Sequence, residues 1–274
     1  MTRSLTFFFG IFIGLVAQFT QAADLFPKGV SRSFQRLDTL EDDATIGGYA
    51  MYQGGRTWKT LAIQDQTNNM NIRIGTAQFV SPVGNNFFAE MRVVASLSGA
   101  EEYGYFSADV CSPAKAHLFV SKKAGGTMDN CLTIDPYAAN IGGRDLVTLV
   151  VNVRNSQSNW RLYDTTIYLN LAYLGYTNTT ISDWSATAVA NDAGKGKLIE
   201  KVGSWAKQLQ DGVNTAIAYR KPQDAFASVP PLSSLMVWDE TALKAPSQSR
   251  NAGSSYVFCE SSKTMVLEGA KDCP

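Results

Sequence analysis

The chain has 274 residues, with 24 basic side chains, 24 acidic ones and a single histidine, so it carries no net charge at pH 7. Its basic residues are interleaved with acids, which argues against the basic stripe of a nucleic-acid-binding surface. The length allows one large β domain or two smaller ones, with a substantial buried core.

The first 22 residues read as a secretory signal peptide. One charge, Arg3, precedes an apolar run from Leu5 to Phe19, and small residues follow, with Thr20 and Ala22 at the expected −3 and −1 positions. The run is short for a spanning helix, which needs about 20 apolar residues. No later segment is long and apolar enough to span as a helix. Cleavage before Ala23 leaves a mature chain of net charge −1, expected in the periplasm or outside the cell.

Export governs the reading of the four cysteines, Cys111, Cys131, Cys259 and Cys273. In an oxidising compartment they are expected to form two disulfides. Of the three possible pairings, Cys111–Cys131 and Cys259–Cys273 close the shortest loops. Each would contribute about 3 kcal/mol by restricting the unfolded chain. The spacings fit neither a CxxC motif nor a zinc finger.

Asp24 to Asp43 reads as an irregular entry, with a short helix around Ser33–Leu40. Strands follow at Thr57–Asp65 and Met70–Val80, the second placing Met70, Ile72, Ile74 and Thr76 on one face. Phe87–Leu97 and Tyr103–Val110 continue the pattern. Short strands are predicted at His117–Ser121 and Leu132–Ile134. After a turn at Ile141-Gly142-Gly143 comes a long hairpin: Asp145–Arg154, a turn over Asn155–Asn159, and Trp160–Leu174. In its second arm Ile167, Leu169 and Leu171 share one face.

Beyond Ala193 the period changes. Leu198, Val202, Trp205, Leu209, Val213 and Ala216 recur at spacings of three and four, which predicts an amphipathic helix of about six turns. Asn191 or Asp192 is the expected N-cap, and Pro222 stops the helix. Gly203 and Gly212 are expected to weaken it by roughly 1 kcal/mol each. Lysines 195, 197, 201 and 207 suit a membrane surface, but Glu200 and Asp211 dilute that face, and a sheet needs covering. An extended piece at Ser234–Trp238, a linker at Lys244–Gly253 and a hairpin of Tyr256–Glu260 with Thr264–Glu268 complete the chain.

The expected fold is mainly β (or α+β): an antiparallel, sandwich-like sheet with one long helix packed on it and a disulfide-clipped C-terminal hairpin. The expected divisions are 1–22 for the signal, 23–190 for the β domain, and 191–274 for the helix and terminal hairpin packed on the same domain.

No catalytic constellation emerges. His117 lies in an apolar strand context, Ala-His-Leu-Phe-Val, and reads as a strand histidine with a local hydrogen-bond partner. A lone histidine also fits a zinc site poorly. Ser112–Lys115 and Ser204–Lys207 have the Ser-x-x-Lys spacing of penicillin-recognising enzymes, without the accompanying elements. Glu90, Glu101, Glu102 and Asp109 lie on or beside neighbouring predicted strands, where a glycosidase pair would converge. Charged residues on a solvated sheet face are the ordinary alternative. Glu41-Asp42-Asp43 lacks the alternation and glycine of a calcium loop. Gly47-Gly48 and Gly54-Gly55 read as turns or bulges. The tryptophans Trp58, Trp160, Trp184 and Trp238 are expected mostly in the core.

The expected function is an exported, non-enzymatic protein that binds another protein or a cell-envelope component, with no cofactor or metal. The alternatives are a secreted hydrolase acting on glycans through paired carboxylates, and a structural part of an envelope assembly.

Overall fold

A computed structural model describes residues 24–26, 39–40, 43–67, 72–83, 86–97, 117–123, 130–141, 144–158, 161–219, 224–237, 256–259 and 264–267. The signal segment, most of the Ser33–Leu40 helix, Tyr103–Val110, the Lys244–Gly253 linker, Cys111 and Cys273 lie outside these residues.

The chain enters through a small hairpin, β1 (Thr45–Ile46) with β2 (Tyr49–Ala50). Its two-residue turn is Gly47-Gly48, with φ of 60° and 78°. Left-handed backbone at both central positions matches the twist of a tight hairpin, and glycine adopts it without steric cost.

Seven strands then form one antiparallel sheet: β3 (Lys59–Thr67), β4 (Arg73–Val83), β5 (Asn86–Ser96), β6 (Phe119–Lys122), β7 (Asn130–Ile141), β8 (Arg144–Ser158) and β9 (Arg161–Asn170). Their spatial order is β3-β4-β5-β9-β8-β7-β6. A three-stranded meander and a four-stranded meander therefore meet where β5 pairs with β9. Among the described strands the sheet is open, with β3 and β6 at its edges.

One face of the sheet holds the core. Its central row runs Phe79, Met91, Ile167, Val151 and Ile134 across five strands, every side chain fully buried. The helix α2 (Ala193–Tyr219) packs over β7, β8 and β9 on this face. The layered, sandwich-like arrangement thus has a sheet as one layer and this helix in the other. The predicted stripe of Leu198, Val202, Trp205, Leu209, Val213 and Ala216 is buried throughout. Asp192 is the N-cap: its Oδ1 accepts from the backbone N–H of Gly194 at 2.9 Å and Lys195 at 3.1 Å. A one-turn helix, α1 (Ala186–Ala190), precedes it. The terminal hairpin pairs β10 (Tyr256–Cys259) with β11 (Thr264–Leu267).

The two helical glycines have a role beyond propensity. A Cβ on Gly203 would lie 2.7–3.0 Å from the Phe119 ring, and one on Gly212 would lie 2.3 Å from the Phe226 ring and 3.1 Å from the Ala225 carbonyl oxygen. Both glycines let an aromatic ring approach the helix backbone. Gly212→Ala is therefore expected to lower stability by about 1–2 kcal/mol despite alanine's better helix propensity, because overpacking costs roughly 1–3 kcal/mol. Chemical denaturation would check this; a stabilised variant would show that the Phe226 loop yields freely.

Several boundaries differ from expectation. β7 does not stop at Ile134 but runs through Pro136 to Ile141, and β8 continues through Asn155 to Ser158 where a turn was expected. Pairing explains the second: Asn155 sits between Asn130 and Tyr163, with partners on both sides, and that context overrides the weak strand propensity of Asn and Ser. The predicted second arm ends as a strand at Asn170, and a 3₁₀ turn takes Leu171–Leu174. Ser234 belongs to another 3₁₀ turn, Leu232–Leu235, rather than to an extended piece. On β4 the residues facing the core are Gly75, Ala77, Phe79 and Ser81; Ile74 and Thr76 point to the opposite side.

Candidate functional site

The sheet face opposite α2 is polar across its four central strands. Because side chains alternate along a strand, each apolar core residue is followed by one facing away. On β5 these are Glu90 and Arg92, on β9 Asp164, Thr166 and Tyr168, on β8 Asn152 and Arg154, and on β7 Asp135 and Tyr137. The register brings opposite charges together. Asp164 stands directly across from Arg154, Arg92 across from Thr166, and Glu90 across from Tyr168. Asn152 Nδ2 donates to Asp164 Oδ1 at 3.0 Å and to Thr166 Oγ1 at 2.8 Å. Tyr137 and Tyr168 meet edge to face, their centroids 5.9 Å apart. Tyr137 is 51% exposed and Arg92 is exposed, so the ladder reaches solvent.

Burial dominates the ionisation of this face. It raises the Asp164 carboxyl above the usual range, even though Arg154, Asn152, Arg92 and Thr166 all favour the charged form. Burial likewise raises Glu90, against the pull of Arg92. Tyr168 is raised by burial and by the Glu90 charge. A carboxyl whose folded pKa exceeds its unfolded value binds more protons when folded, so it loses stability as pH rises through that window. Stability is expected to decline as pH climbs from about 4, the unfolded carboxylate value, through the elevated values of Glu90 and Asp164. The variant Glu90→Gln, and separately Asp164→Asn, should flatten that decline. Urea midpoints measured across pH 4–8 would check it, and an unchanged slope in both variants would refute it. Asp183 and Asp192 are shifted the opposite way, by hydrogen bonds from Thr180 and from the Lys195 backbone respectively, so an acid-side loss of stability remains in both variants.

Of the candidate catalytic carboxylates only Glu90 lies among the described residues. Glu90 and Asp164 share a face but lie two residue pairs apart along neighbouring strands, about 14 Å between α-carbons from strand geometry. Glycosidase carboxylates stand roughly 5–9.5 Å apart. Glu101, Glu102 and Asp109 are outside the described residues, as are Glu41, Asp42, Trp160, Trp238 and the Ser112–Lys115 pair. Ser204 and Lys207 are both exposed on α2, and Lys207 Nζ lies 5.4 Å from the centre of the Phe119 ring. His117 lies just before β6 rather than in a strand, and its partner comes from β7. Its Nδ1 lies 2.9 Å from both carboxylate oxygens of Asp135. Its Nε2 is buried and makes no hydrogen bond among the described residues, so no described hydroxyl completes a triad there. Among the described residues no group of three His, Cys, Asp or Glu side chains is placed to hold a metal ion.

Trp58 and Trp184 are fully buried, each with its indole N–H satisfied, by the Gln53 carbonyl and the Thr179 hydroxyl. Cys131 is buried on β7.

On the helix side of the sheet a second feature stands apart. A cleft of about 340 Å³ opens between the segment from Asp43 to Gly55 and the loop from Phe226 to Pro231. Tyr52 anchors it: its hydroxyl donates to the Pro230 carbonyl at 2.7 Å, and Trp205 Nε1 donates to the same oxygen at 3.1 Å. The Tyr52 ring meets Trp205 and Phe226 edge to face at 5.7 and 5.9 Å. The turn at Gly54-Gly55 has φ of 61° and 64°, and a Cβ on Gly54 would overlap the Tyr52 ring at 2.6 Å. No side chain other than glycine's hydrogen fits there.

No family model, curated protein or solved structure matches the chain. Neither the charge ladder nor the cleft was picked out from sequence. The ladder's trace there is the alternation of polar residues from Asp164 to Asn170 and the polar Thr148, Asn152 and Arg154 on the preceding arm.

Proposed function

We propose that this chain is an exported, non-enzymatic protein that recognises another protein or a cell-envelope component through the face of its sheet opposite α2. The observation that carries the reading is the ladder itself. Charges of both signs and two tyrosines are spread over four strands, with Tyr137 and Arg92 open to solvent and the described pair Glu90 and Asp164 too far apart to act together. Aromatic and arginine side chains are enriched where proteins bind partners, and opposite charges confer specificity. The signal-like Met1–Ala22 segment supports export to the periplasm or the outside. No described helix is long and apolar enough to cross a membrane.

Export also supports the two disulfides, Cys111–Cys131 and Cys259–Cys273. Cys131 is buried, as expected of a structural half-cystine, and Cys259 ends a strand of the terminal hairpin. The hydrolase alternative draws only on Glu90, whose raised carboxyl suits a general acid; among the described residues Asp164, on the same face, does not lie at catalytic distance from it. A role as a structural part of an envelope assembly is a special case of the binding reading.

The test is site-specific photo-crosslinking in intact cells, with the crosslinker at position 137 on the ladder or at position 200 on the exposed side of α2. The expected result is a discrete envelope adduct from position 137 alone, lost on Arg92→Ala. Equal labelling from both positions, or hydrolysis of a sugar, peptide or ester by the purified protein, would overturn the proposal.

A further inference from the structure

The helix-side cleft goes beyond the sheet-face reading, because it lies on the other side of the sheet and uses different residues. Its volume, about 340 Å³, is at the lower end of the range for small-molecule sites. Its walls are apolar and aromatic, with Met51, Tyr52, Phe226, Val229 and Pro231 among them. The polar groups of those walls are largely committed. The Tyr52 hydroxyl is taken by Pro230, the Gly54 carbonyl accepts from the Leu232 N–H, and the Gln53 carbonyl accepts from Trp58 and from the Arg56 N–H.

One lining residue is charged, and it is Asp43. Its carboxylate makes no hydrogen bond or ion pair among the described residues. A half-buried acid with no partner among the described residues, in a lining shared with tyrosine and phenylalanine, complements one ligand chemistry. A cationic group would meet the carboxylate, and an apolar body would enter between the rings, where ring quadrupoles also favour positive charge. An anionic ligand would face Asp43 with no compensating cation in the lining.

We propose that this cleft binds a small organic cation, an amine carried on an apolar or aromatic body of about amino-acid size. The wall is pre-organised for it, because the Phe226–Pro231 loop is held by two hydrogen bonds to the Pro230 carbonyl and by the Leu232–Gly54 bond. The ligand need not order that loop, which lowers the entropic cost of binding.

The experiment is isothermal titration of the mature protein with phenethylamine, phenethyl alcohol and phenylpropionate, three probes of similar shape and different charge. The amine is expected to bind at least tenfold more tightly than the alcohol, and the acid not to bind. Asp43→Asn, whose side chain contributes nothing to the core, should keep the melting temperature and lose that tenfold preference. Phe226→Leu should weaken amine and alcohol alike. Equal affinity for all three probes, no binding at 10 mM (about the weakest interaction worth calling a site), or an unchanged preference in Asp43→Asn would each overturn the proposal. None of these results bears on crosslinking from position 137, so the two readings fail separately.

Discussion

Trp205→Ala is expected to lower the unfolding free energy by about 4 kcal/mol, within the range for deleting a buried tryptophan. Trp205 is 3% exposed at the middle of the apolar stripe of α2. Three interactions go with the ring: helix-to-sheet packing, the edge contact to Tyr52, and the N–H bond to the Pro230 carbonyl. For a chain of this size the loss corresponds to a fall of roughly 8–16 °C in melting temperature. Trp205→Phe separates the contributions. It keeps most of the ring and loses the hydrogen bond, whose net worth is about 1 kcal/mol, so it should fall well short of the alanine variant. Urea titrations with an unchanged slope would measure both. A loss below about 2 kcal/mol in Trp205→Ala would mean that the helix is not seated on the sheet as described. Because Trp205 also holds the Pro230 loop, the alanine variant should lose affinity for phenethylamine at temperatures where it remains folded.

Ile167→Ala is the companion experiment at the centre of the sheet. Ile167 is fully buried between Met91 on β5 and Val151 on β8, where the two meanders join. Truncation leaves a cavity that cross-strand neighbours cannot fill, since they are held in register by the ladder on both sides. The expected cost is about 3–4 kcal/mol. Below its lower melting temperature this variant should keep the cleft's affinity for the amine, as Ile167 is not among the cleft-lining residues. The pair of variants therefore distinguishes a general loss of stability from loss of the cleft wall. If Ile167→Ala abolished amine binding while still folded, the cleft would depend on the sheet more than its lining implies.

What could be read in advance follows from the range of the interactions. The helix was legible because a 3.6-residue period places Leu198, Val202, Trp205, Leu209 and Val213 on one stripe, whatever that stripe packs against. Its start was legible because an N-cap acts within a turn, as Asp192 does on Gly194 and Lys195. The second arm of the long hairpin was legible because Ile167, Leu169 and Leu171 alternate with polar residues. The glycine turn at Gly47-Gly48 was legible for a similar reason.

Three of the misreadings share a cause, since each depends on a neighbour distant in sequence. Asn155–Ser158 looks like a turn until β7 and β9 supply hydrogen bonds on both sides. Gly203 and Gly212 look like weak points until Phe119 and Phe226 arrive from elsewhere. On β4 the apolar Ile74 stands out in sequence, but the core face carries Gly75, whose missing side chain leaves room for Phe26 and Leu97.

By itself, then, the sequence determined the local periods, the helix and its cap, the antiparallel β character and a signal-like start, because those depend on spacings of a few residues. Only the tertiary structure decided that β5 lies against β9, that Asp164 faces Arg154 one strand over, and that Asp43 and Phe226 line one cleft. Strand order and register are set by which buried rows close a common core, a property of the whole chain that no short window of residues contains.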